Sequence, residues 1–363
     1  MNQLQCLRRG MPDRRRVGRA ILTVAVVLVV ALLVLLPPTQ DLLRRYLVDP
    51  FSPQFPEEVH MTLERTVILD ANGTQVVSYS VHLPRPTSVI EGSAPLQVLE
   101  GIVVDPQYDR QRDNGAFDTM VWEGEGLTGM FTVQMTIEVA QARHVWELDE
   151  GSVLDRDEVP QYYLDNYLDD QWKIVVNDPA IRSLREELVG DETNVYLIAK
   201  AIYDWIVENI EYPDSPSPGE PRSSVETLRA REGDCDEQSM LFCALARSAG
   251  VPAWVQLGAI YDRKDEELGG HGWVQMFMPT ADGGHNVTID PVNEAFLVWM
   301  PTLFCEYTDT GDADDLYSAY HHISISFLPE GATPIYTEGW RVIAYEEGEG
   351  RASFASTIVR SPS

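Results

Sequence analysis

The stretch Gly233-Asp234-Cys235-Asp236-Glu237 constrains this chain more than any other, because it dictates where a helix begins and what occupies its first position. Asp234 is a strong N-cap, and Glu237 three residues later completes a capping box, which puts Cys235 on the first helical residue. Leu241, Ala244, Leu245 and Ser248 then recur at helical spacing, and Gly250 ahead of Val251-Pro252 is a left-handed stop. A thiol therefore stands at the positive end of a short, buried helix. The helix terminus lowers a thiol pKa of about 8.5 by less than one unit, and Asp234, Asp236 and Glu237 oppose it. Ionisation near neutral pH requires a cationic neighbour.

Gly270-His271-Gly272-Trp273-Val274 and Val287-Thr288-Ile289-Asp290-Pro291 supply an imidazole and a carboxylate on two consecutive strand-like segments. A hairpin folded through Thr280 to Asn286, with its midpoint between Thr280 and Ala281, sets His271 opposite Asp290. The three residues then read as nucleophile, base and orienter of the base. The Cys235 backbone N–H is one expected oxyanion donor, with Tyr212, Trp254 and Trp273 as candidates for the second. Taken singly, Cys235 could be a small core hydrophobe and His271 a satisfied core histidine; all three in order within one framework favour a site. Cys243 reads as plain core.

The run Leu228 to Glu237, the segment Leu245 to Ala253, the strand His271-Gly272-Trp273-Val274 and the pair Asp290-Pro291 together resemble the transglutaminase-like superfamily of papain-related thiol enzymes. The resemblance covers roughly Ala180 to Glu294. It implies Cys235 as nucleophile, His271 as base and Asp290 as orienter, on a papain-like core in which the nucleophile helix packs on an antiparallel sheet. Many relatives have Ala at the position of Gly272. No cofactor is implied, and the chain lacks the His-x-x-x-His and Cys-x-x-Cys spacings of common metal sites.

Ala20 to Leu36 is uncharged and almost wholly aliphatic, and it follows Arg8, Arg9, Arg14, Arg15, Arg16 and Arg19. As a helix it spans about 25 Å, and counting from Val17 with Arg19 snorkelling gives a full crossing of a ~30 Å hydrocarbon core. The expectation is a single-pass signal anchor with a cytoplasmic N-terminus and everything after Pro37-Pro38 outside. The net charge is −30, and the only lysines are Lys173, Lys200 and Lys264. Such a surface makes nucleic acid an improbable partner; it suits a high-salt exterior or a cationic partner, and solvation with self-repulsion explains it equally well. With Cys6 inside and Cys235 free, Cys243 with Cys305 is the one candidate structural disulfide.

The expected organisation is a basic tail (1–16), a transmembrane segment (17–36), a stalk (37–56), a β-sandwich-like domain (57–150), a transglutaminase-like catalytic domain (151–305) and a β-rich C-terminal extension (306–363). The first sandwich strands, Thr62 to Leu69 and Val76 to Leu83, read as a hairpin about the turn Asp70-Ala71-Asn72-Gly73. The fold class is α+β. The expected function is a membrane-anchored, externally facing thiol enzyme that acts through a Cys235 thioester on protein or peptide amides, by hydrolysis or by transfer to an amine. The alternative is a non-catalytic surface module that retains the fold for docking.

Overall fold

The computed structural model describes residues 56–360 apart from 114, 116, 215–219, 265, 329–331, 349–350 and 353–355. The basic tail, the transmembrane segment and all but Pro56 of the stalk lie outside the described residues. Among the described residues no helix is long and apolar enough to cross a membrane.

The chain enters through β1 (Glu58–Asp70), β2 (Val76–Arg85), β3 (Val89–Glu91), β4 (Ala94–Asp105), β5 (Arg110–Asp113), β6 (Asp118–Leu127), β7 (Met130–Ala142) and β8 (His144–Val145). Helices α1 (Gln161–Asn166), α2 (Pro179–Leu188), α3 (Val195–Asn209), α4 (Ser224–Ala230) and α5 (Cys235–Ser248) follow. The remainder is β9 (Ala253–Asp262), β10 (Glu267–Met278), β11 (His285–Asp290), β12 (Ala295–Phe296), β13 (Val298–Trp299), β14 (Leu303–Thr308), α6 (Ala313–Tyr320), β15 (Ile323–Phe327), β16 (Ile335–Glu347), β17 (Arg351–Ala352) and β18 (Ser356–Arg360).

β1 alternates strictly between buried and part-exposed positions, as a strand with one face on a core must. It is paired on both sides, antiparallel to β7 and to β16. Both its edges are thereby taken, so β2 cannot form the expected hairpin with it. The turn at Asn72 and Gly73, both with positive φ, instead carries the chain into the facing sheet. One sheet runs β17-β16-β1-β7-β4-β3, with β18 also on β16, and the other runs β15-β2-β6-β5. Val59, Met61 and Leu63 of β1, Val133 to Val139 of β7 and Trp340 and Val342 of β16 share a core with Val81, Leu83, Met120 and Trp122.

The sandwich is thus discontinuous. Strands of the segment expected as an extension, β15 and β16, are hydrogen-bonded into its two sheets. Arg65 of β1 marks the junction: buried, it pairs with Glu306 of β14 at 2.8 Å and Glu338 of β16 at 3.0 Å, and lies 4.9 Å from the Trp340 ring.

The second core lies around α5. A sheet of order β12-β11-β10-β9-β14 supports that helix, and Met240, Leu241, Phe242, Ala244 and Leu245 join Ile198, Ile202 and Ile206 of α3 and Val255, Val274 and Met276 of the sheet. The other side of the same sheet sends Ala259, Tyr261 and Phe304 into the sandwich core. The five-stranded sheet is therefore buried on both faces. Cys243 and Cys305 are free thiols rather than a disulfide. Cys305 donates instead to the carbonyl of Tyr307 on its own strand, at 3.5 Å.

Candidate active site

The capping box forms as its residues dictate: Asp234 Oδ1 accepts from the Glu237 N–H at 3.3 Å, and Glu237 Oε2 accepts from the Asp234 N–H at 3.2 Å. Glu237 also takes the Arg222 N–H at 2.7 Å and its guanidinium at 2.9 and 3.0 Å, which ties the residue before α4 to the first turn of α5. Gly233 is needed just ahead of the cap, because a Cβ there would lie 2.7 Å from Thr227 Cγ2. Ser239 Oγ donates to the Gly272 carbonyl at 3.2 Å and locks the helix to β10 beside His271. Cys235 is consequently fixed on the first helical residue, where its own N–H has no partner four residues back.

His271 Nε2–H donates to Asp290 Oδ2 at 2.7 Å, and both residues are buried, with 6 % and 0 % exposure. Cys235 and His271 act on each other: the imidazole pulls the thiol pKa down, and the thiol pulls the imidazole pKa up. With Nε2 engaged by the carboxylate, the nitrogen left to exchange a proton with sulfur is Nδ1. Burial alone would lower the His271 pKa, yet the charge and hydrogen bond of Asp290 and the contact with Cys235 outweigh it and hold the imidazole well above its ordinary value. Burial works against ionisation of Asp290 as well, and there the His271 charge and the Asn293 hydrogen bonds prevail and keep its pKa low.

The strand register differs from the expected one. Val274 stands opposite Ile289 and Met278 opposite His285, so the ladder is shifted by two residues and Asp290 falls diagonal to His271. The cause is the turn, where Gly283 and Gly284 adopt φ of 120° and 88° and the Thr280 carbonyl accepts from the Gly283 N–H at 3.1 Å. A shift of two preserves the face, so imidazole and carboxylate still meet.

The thiol has a further neighbour. Cys235 Sγ donates to Asp236 Oδ1 at 3.6 Å. Burial first, then the Asp236 charge, push the Cys235 pKa up, against the lowering pull of His271. Asp234 is itself raised to about 6 by burial and by Asp236 and Glu237. Tyr212, half exposed on the loop after α3, is pushed up to about 12 by burial and by Cys235, Asp234 and Asp236. Tyr320, at the end of α6, is raised by burial and by Asp236 and Cys235.

The two tryptophans lie elsewhere in the chemistry. Trp273 Nε1–H is spent on Gln256 Oε1 at 2.9 Å, and its fully buried ring stacks against His271 at 5.8 Å, so it shapes the wall rather than offering a donor. Trp254 is stacked between Tyr167 at 4.5 Å and Tyr163 at 5.6 Å, inside the α5 core. Of the three oxyanion candidates, only Tyr212 has Cys235 among the charges that act on it.

Sequence reasoning passed over three residues here. Asn293 donates its N–H to Asp290 Oδ1 at 3.1 Å and its amide to Oδ2 at 2.8 Å. The Asp290-Pro291-Val292-Asn293 turn is the signal that could have found it. Asp236 was weighed only as a charge, and Tyr320 arrives on a helix that local pattern did not announce.

A sequence profile of the transglutaminase-like superfamily matches residues 182–291. An uncharacterized protein of Haemophilus influenzae is 33% identical over 92 residues, covering 23% of this chain and 25% of that protein, so the chain spans about a quarter of the curated relative it matches. Among solved structures, a candidate cysteine protease from Cytophaga hutchinsonii superimposes with a TM-score of 0.53 at 16% identity, over 83% of this chain and 98% of its own, a likeness of fold. The periplasmic domain of TgpA from Pseudomonas aeruginosa aligns over 67% of this chain and 89% of its own at 13% identity, and its TM-score of 0.30 is too low to bear on either fold or function.

Proposed function

From a chain whose residues 182–291 are a transglutaminase-like domain, we propose a thiol enzyme that acts on protein or peptide amide bonds through a Cys235 thioester. The observation that carries the reading is the buried 2.7 Å bond between His271 and Asp290, which leaves the other ring nitrogen for Cys235. Asp290 stabilises the imidazolium and fixes its tautomer, and Asn293 holds Asp290 in place.

In the first half-reaction the Cys235 thiolate attacks the amide carbonyl carbon, and the new C–S bond pushes negative charge onto the carbonyl oxygen, toward the Cys235 N–H. Collapse expels the amine, which takes the proton from His271 Nδ1. In the second, His271 accepts a proton from water or an acceptor amine as that nucleophile attacks the thioester, and sulfur leaves as thiolate. The donors, base and nucleophile are common to hydrolysis and transfer.

The same reading places the enzyme outside the cytoplasm on a single-pass anchor. Its support is the aliphatic run Ala20 to Leu36 behind six arginines. Resistance of the full-length chain to alkaline extraction, together with degradation of its C-terminal part by protease added to intact cells, tests the anchor and its direction; extraction into the soluble fraction would remove it.

For the chemistry, the test is iodoacetamide labelling of the full-length protein across pH, mapped by peptide mass spectrometry in wild type and His271→Ala. Cys235 is expected to label selectively over Cys243 and Cys305, and the mutant to lose roughly 10²-fold or more in rate. A Cys235 indifferent to His271 would leave the docking module as the better account.

A further inference from the structure

Resting on that activity, we propose that Asp236 is its specificity determinant: the carboxylate beside Cys235 binds an ammonium group carried by the residue flanking the attacked amide. Substrates of this site are then basic at that position.

The placement of Asp236 argues for recognition rather than helix capping. The cap is already complete in Asp234 and Glu237. Asp236 follows Cys235 directly and turns its Oδ1 to 3.6 Å from the sulfur. Room for it exists only because residue 272 is glycine: a Cβ there would stand 2.4 Å from Asp236 Oδ1 and 3.1 Å from Leu257 Cδ2. An alanine at this position would drive the carboxylate away. Gly272 follows His271 directly in β10, so the carboxylate it accommodates lies between the helix of the thiol and the strand of the imidazole. The buried hydroxyl of Tyr320 on α6, which has no hydrogen-bond partner of its own, lies within electrostatic reach of the same carboxylate.

Charge complementarity names the ligand. Glu237, one residue on, is neutralised by Arg222, whereas among the described residues no Lys or Arg is ion-paired with Asp236. The groups that act electrostatically on or with the thiol are Asp234, Asp236, Tyr212 and Tyr320 besides His271, and His271 is the one cation among them. An unpaired carboxylate next to an atom that must become an anion opposes the chemistry. A substrate ammonium that neutralises it removes the opposition at the moment of binding, so occupancy and activation are coupled.

Three alkylating agents of different charge separate this proposal from its premise. The full-length protein is treated with iodoacetamide, 2-bromoethylamine and iodoacetate, and the Cys235 rate with each is divided by that reagent's rate with a free cysteine peptide. Wild type is expected to favour the cationic reagent about tenfold or more over the neutral one, and to disfavour the anionic one. In Asp236→Asn the preference should fall to within about threefold, while the iodoacetamide profile moves to lower pH by about one unit, roughly tenfold in neutral rate. Gly272→Ala should shift the same way, and Asp236→Asn, which keeps the side-chain shape, guards against misfolding of the alanine variant. A cation preference that survives Asp236→Asn, or its absence from a wild type whose Cys235 labels through His271, overturns the assignment of Asp236 alone. A Cys235 inert to all three reagents overturns the proposed activity and this inference together.

Discussion

A buried imidazole keeps a proton only if something pays for its desolvation, and at His271 that role belongs to Asp290. Replacing Asp290 by Asn leaves a neutral partner of the same shape, so burial then dominates and the His271 pKa falls. Cys235 alkylation near neutral pH should drop by roughly 10²-fold or more, measured by the same mapped labelling. The pair also has a stability signature. Asp290 is depressed in the folded state, so its contribution is complete above about pH 4 and is lost as pH falls further; His271 is raised, so its contribution is complete below about pH 6.5 and is lost as pH climbs through its folded value. The difference in Tm between wild type and Asp290→Asn should therefore be largest between about pH 4 and 6.5. A difference that grows steadily into the alkaline range would contradict the assignment of charges.

At the scale of the element, α5 is held at both ends by polar contacts inside an apolar core. Its last turn carries Arg247, which donates to the carbonyls of Ala253 at 2.7 Å and Asp169 at 3.1 Å, to Gln171 Oε1 at 3.0 Å, and pairs with Asp309 at 3.4 Å. Burial pushes the Asp309 pKa up and Arg247 pulls it back. Arg247→Ala strands a buried carboxylate and should cost about 3–5 kcal/mol in urea unfolding at neutral pH. A raised folded pKa makes the ionised form the destabilising one, so lowering the pH, or adding Asp309→Asn, should recover part of the loss. The helix itself was legible because capping and spacing are local: the box at Asp234 and Glu237 announced its start and Gly250, at φ 79°, its stop. The hairpin of β10 and β11 was legible as two strands but not in register, since the loop length depends on two left-handed glycines whose placement composition alone leaves open. α6 escaped notice because it is only eight residues long and sits in an acidic stretch, and with it went Tyr320, within electrostatic reach of Asp236.

For the molecule as a whole, the pairings that close the sandwich join its two chain ends. Val59 stands opposite Glu347 and Asp70 opposite Ile335, contacts that no local pattern can reveal, because alternation announces a strand and not its partner. A chain ending after Thr308 would lose β15 and β16 and strip Arg65 of Glu338 and Trp340. It should be insoluble or lack a cooperative thermal transition, whereas an independent extension could be removed with Tm unchanged; circular dichroism of the truncated protein decides. The transglutaminase-like segment is, in this sense, inserted between halves of its own support. During synthesis at about 5–20 residues/s, β1 waits roughly 15–60 s with one edge open before β16 emerges to cover it. The thiol and its imidazole can be translated, and their helix and hairpin formed, well before the scaffold beneath them closes. Completion of the last strands thereby becomes the event that times the appearance of a finished site.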